Sequence, residues 1–197
     1  MIKTVNQNDY PDVIYITNTD GKYDEDGTKT TIKDSGCGIC AAMMVMDFYY
    51  PDIPFSLEDA IELSYSCCAN HGLGTDYRRY CEKLCDTFDL TVTRGESEEE
   101  LIGHLKSGNI AVINVGGNHD DYLGVFSNQG HYILAEKMEG EEVRIIDPSF
   151  TDEKYLLPHR REKVGVENKL VYALAKTIIE DTRNRKYPLY LFKRKPV

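Results

Sequence analysis

From Cys37 to about residue 107, apolar residues recur every three or four positions; beyond it they run together or alternate. The first rhythm buries one face of a helix, the second one or both faces of a strand. After Cys37, residues Ala41, Met44, Val45 and Phe48 form an apolar helical face, which Pro51 and Pro54 bring to an end. Ser56 caps a second helix with Asp59 three residues on, leaving Leu57, Ala60, Ile61 and Leu63 to bury. The segment Gly72–Asp76 opens a third helix with Tyr77, Tyr80, Cys81, Leu84 and Phe88 on its apolar side. Ser97 and Glu100 make a capping box for a fourth, which ends at Gly108. Ile110–Val115, His131–Ala135 and Glu142–Asp147 then read as strands, 168–180 as a helix and Tyr187–Phe192 as a last strand. The first 34 residues are polar and turn-rich, punctuated by Asp20-Gly21 and Asp26-Gly27. Helices followed by an antiparallel-looking sheet predict an α+β protein.

A length of 197 residues suits one domain over 1–197, mainly helical to about 108 and mainly β over about 109–197. A hydrophobic share of 41% with 28% charged residues is that of a water-soluble globular protein. The net charge of −10 excludes a general nucleic-acid binder, because no basic stripe exists to neutralise phosphates. The cluster His159-Arg160-Arg161-Glu162-Lys163 is short and interrupted, and reads as a solvated segment. No stretch resembles a transmembrane span, and the N-terminus has no apolar core of signal-peptide length. Six cysteines without a signal then imply unpaired thiols in a reducing, cytoplasmic compartment. The acidic run Asp24–Gly27 invites a calcium loop. Lys22 stands where that loop needs its first carboxylate and Lys33 where it needs its closing glutamate, which leaves a solvated loop.

The chemistry centres on Cys37, which lies between Gly36 and Gly38 where a tight loop becomes an apolar helix. A thiol there meets the positive end of the helix dipole, which favours the thiolate, and the glycines leave room for a substrate backbone. A cysteine nucleophile needs an imidazole within hydrogen-bond reach and a third group to orient that imidazole. His131 follows Gly130 and starts an apolar strand; Asp147 closes the next strand, and a hairpin through Glu139-Gly140 brings the two strand ends together. His119 is the rival base, but no apolar strand follows it, and it reads as part of a mobile loop. His71, His104 and His159 read as solvent-facing. Cys67, Cys68, His71, Cys81 and Cys85 offer metal-ligand pairs, but cysteines at helical spacing on an apolar face are more often core, so no metal is expected. Cys40, three residues beyond Cys37, offers a disulfide partner under oxidising conditions.

The stretch Gly36-Cys37-Gly38-Ile39-Cys40-Ala41-Ala42-Met43-Met44-Val45 resembles the Cys-Gly-Pro-Thr helix of papain-like cysteine peptidases. Gly130-His131-Tyr132 and Asp147-Pro148 resemble the histidine and aspartate motifs of the branch similar to bacteriocin-processing double-glycine peptidases. Gly74-Thr75 and Gln7-Asn8-Asp9-Tyr10 are smaller echoes, so the likeness covers most of residues 5–150. It implies a papain-like α+β fold with a helical lobe carrying Cys37, a β lobe carrying His131 and Asp147, and a cleft between them. It also implies thiol hydrolysis of a peptide or protein substrate without cofactor, metal, nucleic acid or membrane, and it gives Gln7 a share of the oxyanion hole beside the Cys37 N–H. The chain departs from the pattern at Ile39-Cys40, where Pro-Thr is usual. That departure keeps a non-catalytic binding module in view, and an amidase or transferase on a non-peptide amide would use the same triad. Nothing in the sequence fixes an oligomeric state.

Overall fold

Short polar side chains cap the starts of several helices in this protein, as its computed structural model shows over residues 2–17, 28–72 and 74–196. The acidic run Asp24–Gly27 lies outside those residues. The chain divides into two compact units, Met1–Thr91 with Arg194–Val197, and Val92–Lys193.

The first unit contains a hairpin, β1 (Ile14–Thr17) and β2 (Thr28–Thr31), followed by α1 (Ile32–Ser35), α2 (Cys37–Tyr49), α3 (Leu57–Ser66) and α4 (Tyr77–Thr87). A 3-10 turn, Gln7–Asp9, precedes them. Ser56 and Asp59 form the capping box of α3, and the Asp76 carboxylate caps α4 through the Arg78 and Arg79 N–H groups. α2 is buried almost all round: Ile39, Cys40, Ala42 and Met46 join the predicted Ala41, Met44 and Val45, while Phe48 is half-buried. Each such large apolar side chain contributes roughly 2 kcal/mol by leaving water. Tyr77, Tyr80 and Leu84 of α4 complete this core, and the Tyr80 hydroxyl donates to Ala60 O at 2.7 Å.

The hairpin adds two strands to a stretch that the sequence shows only as polar and turn-rich. Only one face of β1 is covered, with Tyr15 fully buried and Ile14 exposed, so its four residues carry too short an alternation to stand out.

The second unit holds most of a seven-stranded sheet. Its strands are β3 (Leu90–Gly95), β4 (Ala111–Val115), β5 (His131–Glu139), β6 (Glu142–Ile146), β7 (Gly165–Glu167), β8 (Leu170–Leu174) and β9 (Leu189–Arg194), in the order β3-β9-β4-β5-β6-β8-β7. The pairs from β9 through β7 are antiparallel. Three helices accompany it: α5 (Glu98–Lys106), α6 (Pro158–Arg161) and α7 (Ala175–Glu180). The Ser97–Glu100 capping box starts α5 as predicted. Leu101, Ile113, Phe126, Ile133, Ile145 and Ile178 are among the residues of one continuous core.

Two local expectations fail here for identifiable reasons. β3 interrupts the stretch read as helical, its Leu-Thr-Val-Thr alternation being only a few residues long. The helix expected over 168–180 is a strand and then a short helix. Asn168 and Lys169 both take positive φ, 51° and 64°, and form the two-residue turn that pairs Glu167 with Leu170. The architecture is α+β, with mixed helices and an antiparallel sheet. Among the described residues no helix is long and apolar enough to cross a membrane.

The β5–β6 hairpin turns at Gly140, where φ is 64°, and its register pairs Leu134 with Ile146. That register leaves His131, the first residue of β5, level with the residues just past the end of β6. The loop entering β5 is held from α7: the Asp181 carboxylate accepts from Val125 N at 2.8 Å and Phe126 N at 3.1 Å, and Asp181 O accepts from Gly116 N at 2.7 Å. Asp181→Ala removes both side-chain acceptors and leaves two buried N–H groups unpaired, which costs at least about 2 kcal/mol. Chemical denaturation should show that loss, and the Val125 and Phe126 amides should lose most of their hydrogen-exchange protection.

Candidate active site

Cys37 is half-buried at the first position of α2. Its N-cap, Gly36, has no side chain to bond the helix N–H groups, and the first intrahelical bond runs from Cys40 N to Gly36 O at 2.9 Å. The N–H groups of the first turn therefore stay directed at the thiol's end of the helix, where a negative charge is favoured.

Both flanking glycines are required by the chain's own packing. A Cβ on Gly36 would lie 2.5 Å from Ile32 O, and one on Gly38 would lie 2.8 Å from the Cβ of Thr75. Thr75 is in turn held by the Tyr15 hydroxyl at 3.1 Å, which also contacts Ser64 Oγ at 2.7 Å. The Gly74-Thr75 segment is thus a buttress for the cysteine turn. Cys40 is fully buried, and burial first, then the neighbouring Cys37, pushes its thiol well above the ordinary range. A group so reluctant to ionise is a poor partner for thiol–disulfide exchange, and none of the six cysteines is in a disulfide.

Gln7 is buried in the 3-10 turn of the same unit. Its Nε2 donates to Lys33 O, four residues upstream of Cys37, which fixes the amide's orientation and uses one of its two N–H bonds. Its Oε1 is buried without a protein partner.

The second unit brings His131 and Asp147 together. His131 Nε2 donates to Asp147 Oδ1 at 2.7 Å, and both side chains are buried. Because a carboxylate only accepts, the proton sits on Nε2, and the neutral imidazole carries its lone pair on Nδ1. Asp147 Oδ1 also accepts from Ser149 N at 2.9 Å and Ser149 Oγ at 3.2 Å, while Oδ2 accepts from Lys154 Nζ and Tyr155 Oη, each at 2.6 Å. Burial alone would raise this carboxyl. The Lys154 charge, the charge that His131 carries when protonated, and the hydrogen bonds outweigh it and hold Asp147 well below the usual carboxylate range.

Ser149, Lys154 and Tyr155 were not singled out from the sequence. The signal was there in principle: Asp147-Pro148-Ser149 turns the chain, and residues seven and eight beyond Asp147 return on the 3-10 turn Glu153–Tyr155. Arg160, read as solvated, is buried instead. Its guanidinium donates to Gly124 O at 3.2 Å, Lys154 O at 3.3 Å and Asn128 Oδ1, tying the Lys154 turn to the loop before His131. His104, also expected at the surface, is buried at the end of α5 with Nε2 on Ile110 O at 3.0 Å, and burial lowers its pKa. His119 is half-buried in the loop before β5, with Nδ1 3.1 Å from Gly117 O. Cys81 and Cys85 sit on the buried side of α4, the Cys81 thiol on Arg78 O at 3.2 Å. Among the described residues no group of three or more His, Cys, Asp or Glu is arranged to hold a metal ion.

No protein-family model and no curated protein matches the sequence. Among solved structures, that of a candidate C39-like peptidase from Bacillus anthracis matches over 98% of this chain and 100% of its own. The identity is 15% and the TM-score 0.49.

Two outcomes follow from this geometry. Iodoacetamide on the native protein should modify Cys37 well before Cys40, Cys81 and Cys85, read by peptide mapping; equal rates at Cys37 and Cys81 would make Cys37 an ordinary thiol. Asp147→Asn should cost about 3 kcal/mol at neutral pH, since it breaks a buried ion pair. As pH falls through the ordinary aspartate value of 3.8, the unfolded chain takes up a proton that native Asp147 refuses, so this stabilisation is complete above that value and lost below it. Urea unfolding at pH 7, 5 and 3 should therefore show the gap between wild type and Asp147→Asn closing with acid.

Proposed function

We propose that this chain is a cysteine peptidase or related thiol hydrolase of papain-like fold, cleaving an amide bond in a peptide or protein substrate. The observation that carries the proposal is the buried 2.7 Å hydrogen bond from His131 Nε2 to Asp147, which leaves Nδ1 as a basic nitrogen of fixed orientation. A histidine held by a carboxylate is the base that a thiol at a helix start requires.

In the proposed reaction His131 Nδ1 takes the proton from Cys37 Sγ, and the sulfur attacks the substrate carbonyl carbon. The carbonyl electron pair moves onto oxygen, where the Cys37 backbone N–H stabilises it. Gln7 is assigned the second donor, through the Nε2 hydrogen not committed to Lys33 O. The tetrahedral species collapses, His131 gives its proton to the leaving amine, and a thioester remains on Cys37. Water, losing a proton to His131, adds to the thioester; the acid leaves and the thiol is restored. Asp147 holds the ring and stabilises the imidazolium without itself taking the proton. The cytoplasm is the compartment proposed with this reaction, because the cysteines are unpaired, as thiols are in a reducing environment.

An activity-based probe for cysteine peptidases tests this reading. Labelling should vanish in Cys37→Ala, fall by roughly a hundredfold or more in His131→Ala, and fall less in Asp147→Asn. Labelling that survives both Cys37→Ala and His131→Ala would end the proposal. Labelling that follows the variants while no peptide library is cleaved would move the substrate to a non-peptide amide.

A further inference from the structure

We propose that Lys154 is a positioning residue that sets the proton affinity of His131 by neutralising Asp147; the inference rests on the catalytic assignment of His131 and deepens it. The Lys154 ammonium lies 2.6 Å from Asp147 Oδ2 and 2.7 Å from Ser149 Oγ, with its side chain only 11% exposed. Ser149 Oγ is itself 3.1 Å from His131 Nε2. Ammonium and imidazole therefore share one hydroxyl and one carboxylate, which puts the two nitrogens within about 6 Å of each other.

The consequence follows from the sign of each charge. An ionised carboxylate alone favours imidazolium and would hold the proton on His131. Lys154 offsets that pull, since protonating His131 would bring a second cation to a carboxylate that already has one. The hydrogen bond to Asp147 Oδ1 is kept, so the ring stays oriented, while the net charge of the supporting pair is close to zero. His131 then remains a neutral base to lower pH, and its imidazolium gives up a proton to a leaving amine more readily.

The other groups facing this cluster do not supply the same effect. Tyr155, from the same 3-10 turn, donates a neutral hydroxyl to Oδ2, and burial first, then Asp147, keeps its phenol from ionising. Arg160 of α6 reaches the Lys154 carbonyl and the 124–128 loop, and Asp181 beyond α7 holds the amides of that loop. Arg185 stands beside Gly130, with Nη2 2.4 Å from where a Gly130 Cβ would be. These opposed charges stay in place when Lys154 alone is changed.

The test reads the His131 titration by NMR of histidine-labelled protein in a Cys37→Ala background, where no thiolate at residue 37 contributes. Lys154→Gln removes the charge and leaves a neutral amide donor on a side chain one atom shorter; Lys154→Arg restores the charge. The His131 midpoint should rise by about one pH unit or more in Lys154→Gln and return to within a few tenths in Lys154→Arg. An unchanged or lowered midpoint in folded Lys154→Gln overturns the proposal. Should that variant not fold, Cys37→Ala alone decides: the midpoint should lie at or below the ordinary histidine value of about 6.5, and a value above it overturns the proposal. The titration needs no turnover, so its failure is distinct from failure of the probe experiment, which alone judges the catalytic assignment.

Discussion

The Asp147 carboxylate is an ionised group with no exposed side-chain surface, and it organises the second unit around itself. An uncompensated charge in that position would cost several kcal/mol, so the chain must bring it a cation and a full set of donors. They arrive from separate stretches: the ring from the start of β5, the Ser149 N–H and hydroxyl from the turn after β6, and Lys154 and Tyr155 from the 3-10 turn beyond. Arg160 then fastens that 3-10 turn to the loop leading into β5. One buried charge thereby ties the turn after β6 and the 3-10 turn beyond it to the start of β5.

The first unit obeys a steric constraint instead. α2 must start at Cys37 with its N–H groups uncapped by any side chain, and it must pass close to Ile32 on one side and Thr75 on the other. Only glycine meets the second condition at both positions 36 and 38. Glycine at both positions is thus explained by packing that the helix start demands, whatever the turn meets outside. Ile39 and Cys40, which stand where the papain-like motif that the sequence resembles has Pro-Thr, are both fully buried. Their identity is accordingly a matter of filling volume, and the exposed part of the turn is Cys37 itself.

Elements with strong local rules were legible in the sequence. Ser56 with Asp59 and Ser97 with Glu100 give the helix starts they predict. The sixteen-residue separation of His131 and Asp147, with a glycine turn between, gives the hairpin. What escaped depends on distant partners. β1 is recognisable only through Tyr15, which needs Ser64 and Thr75 to satisfy its hydroxyl. Arg160 looks like one of a basic run until Gly124 and Asn128 are brought to it. Lys154 sits in an acidic, polar segment, and nothing local separates it from a solvated lysine; its role appears only once Asp147 is known to be buried. Buried polar networks are the least local part of a fold, because every member's cost depends on all the others.

An amide oxygen could orient the imidazole of His131 with no charge and no lysine. The carboxylate has two advantages over it: a charge-assisted bond to Nε2 at 2.7 Å, and enough acceptor capacity to bind Ser149, Lys154 and Tyr155 at the same time. Its drawback is the field it would place on the ring, which Lys154 reduces. Aspartate plus lysine is thus an electrically near-neutral pair that holds the ring through a charge-assisted hydrogen bond. The cost is that both charges must stay buried and paired. That requirement ties the His131 ring to the integrity of the 147–155 turn, which carries Asp147, Ser149 and Lys154.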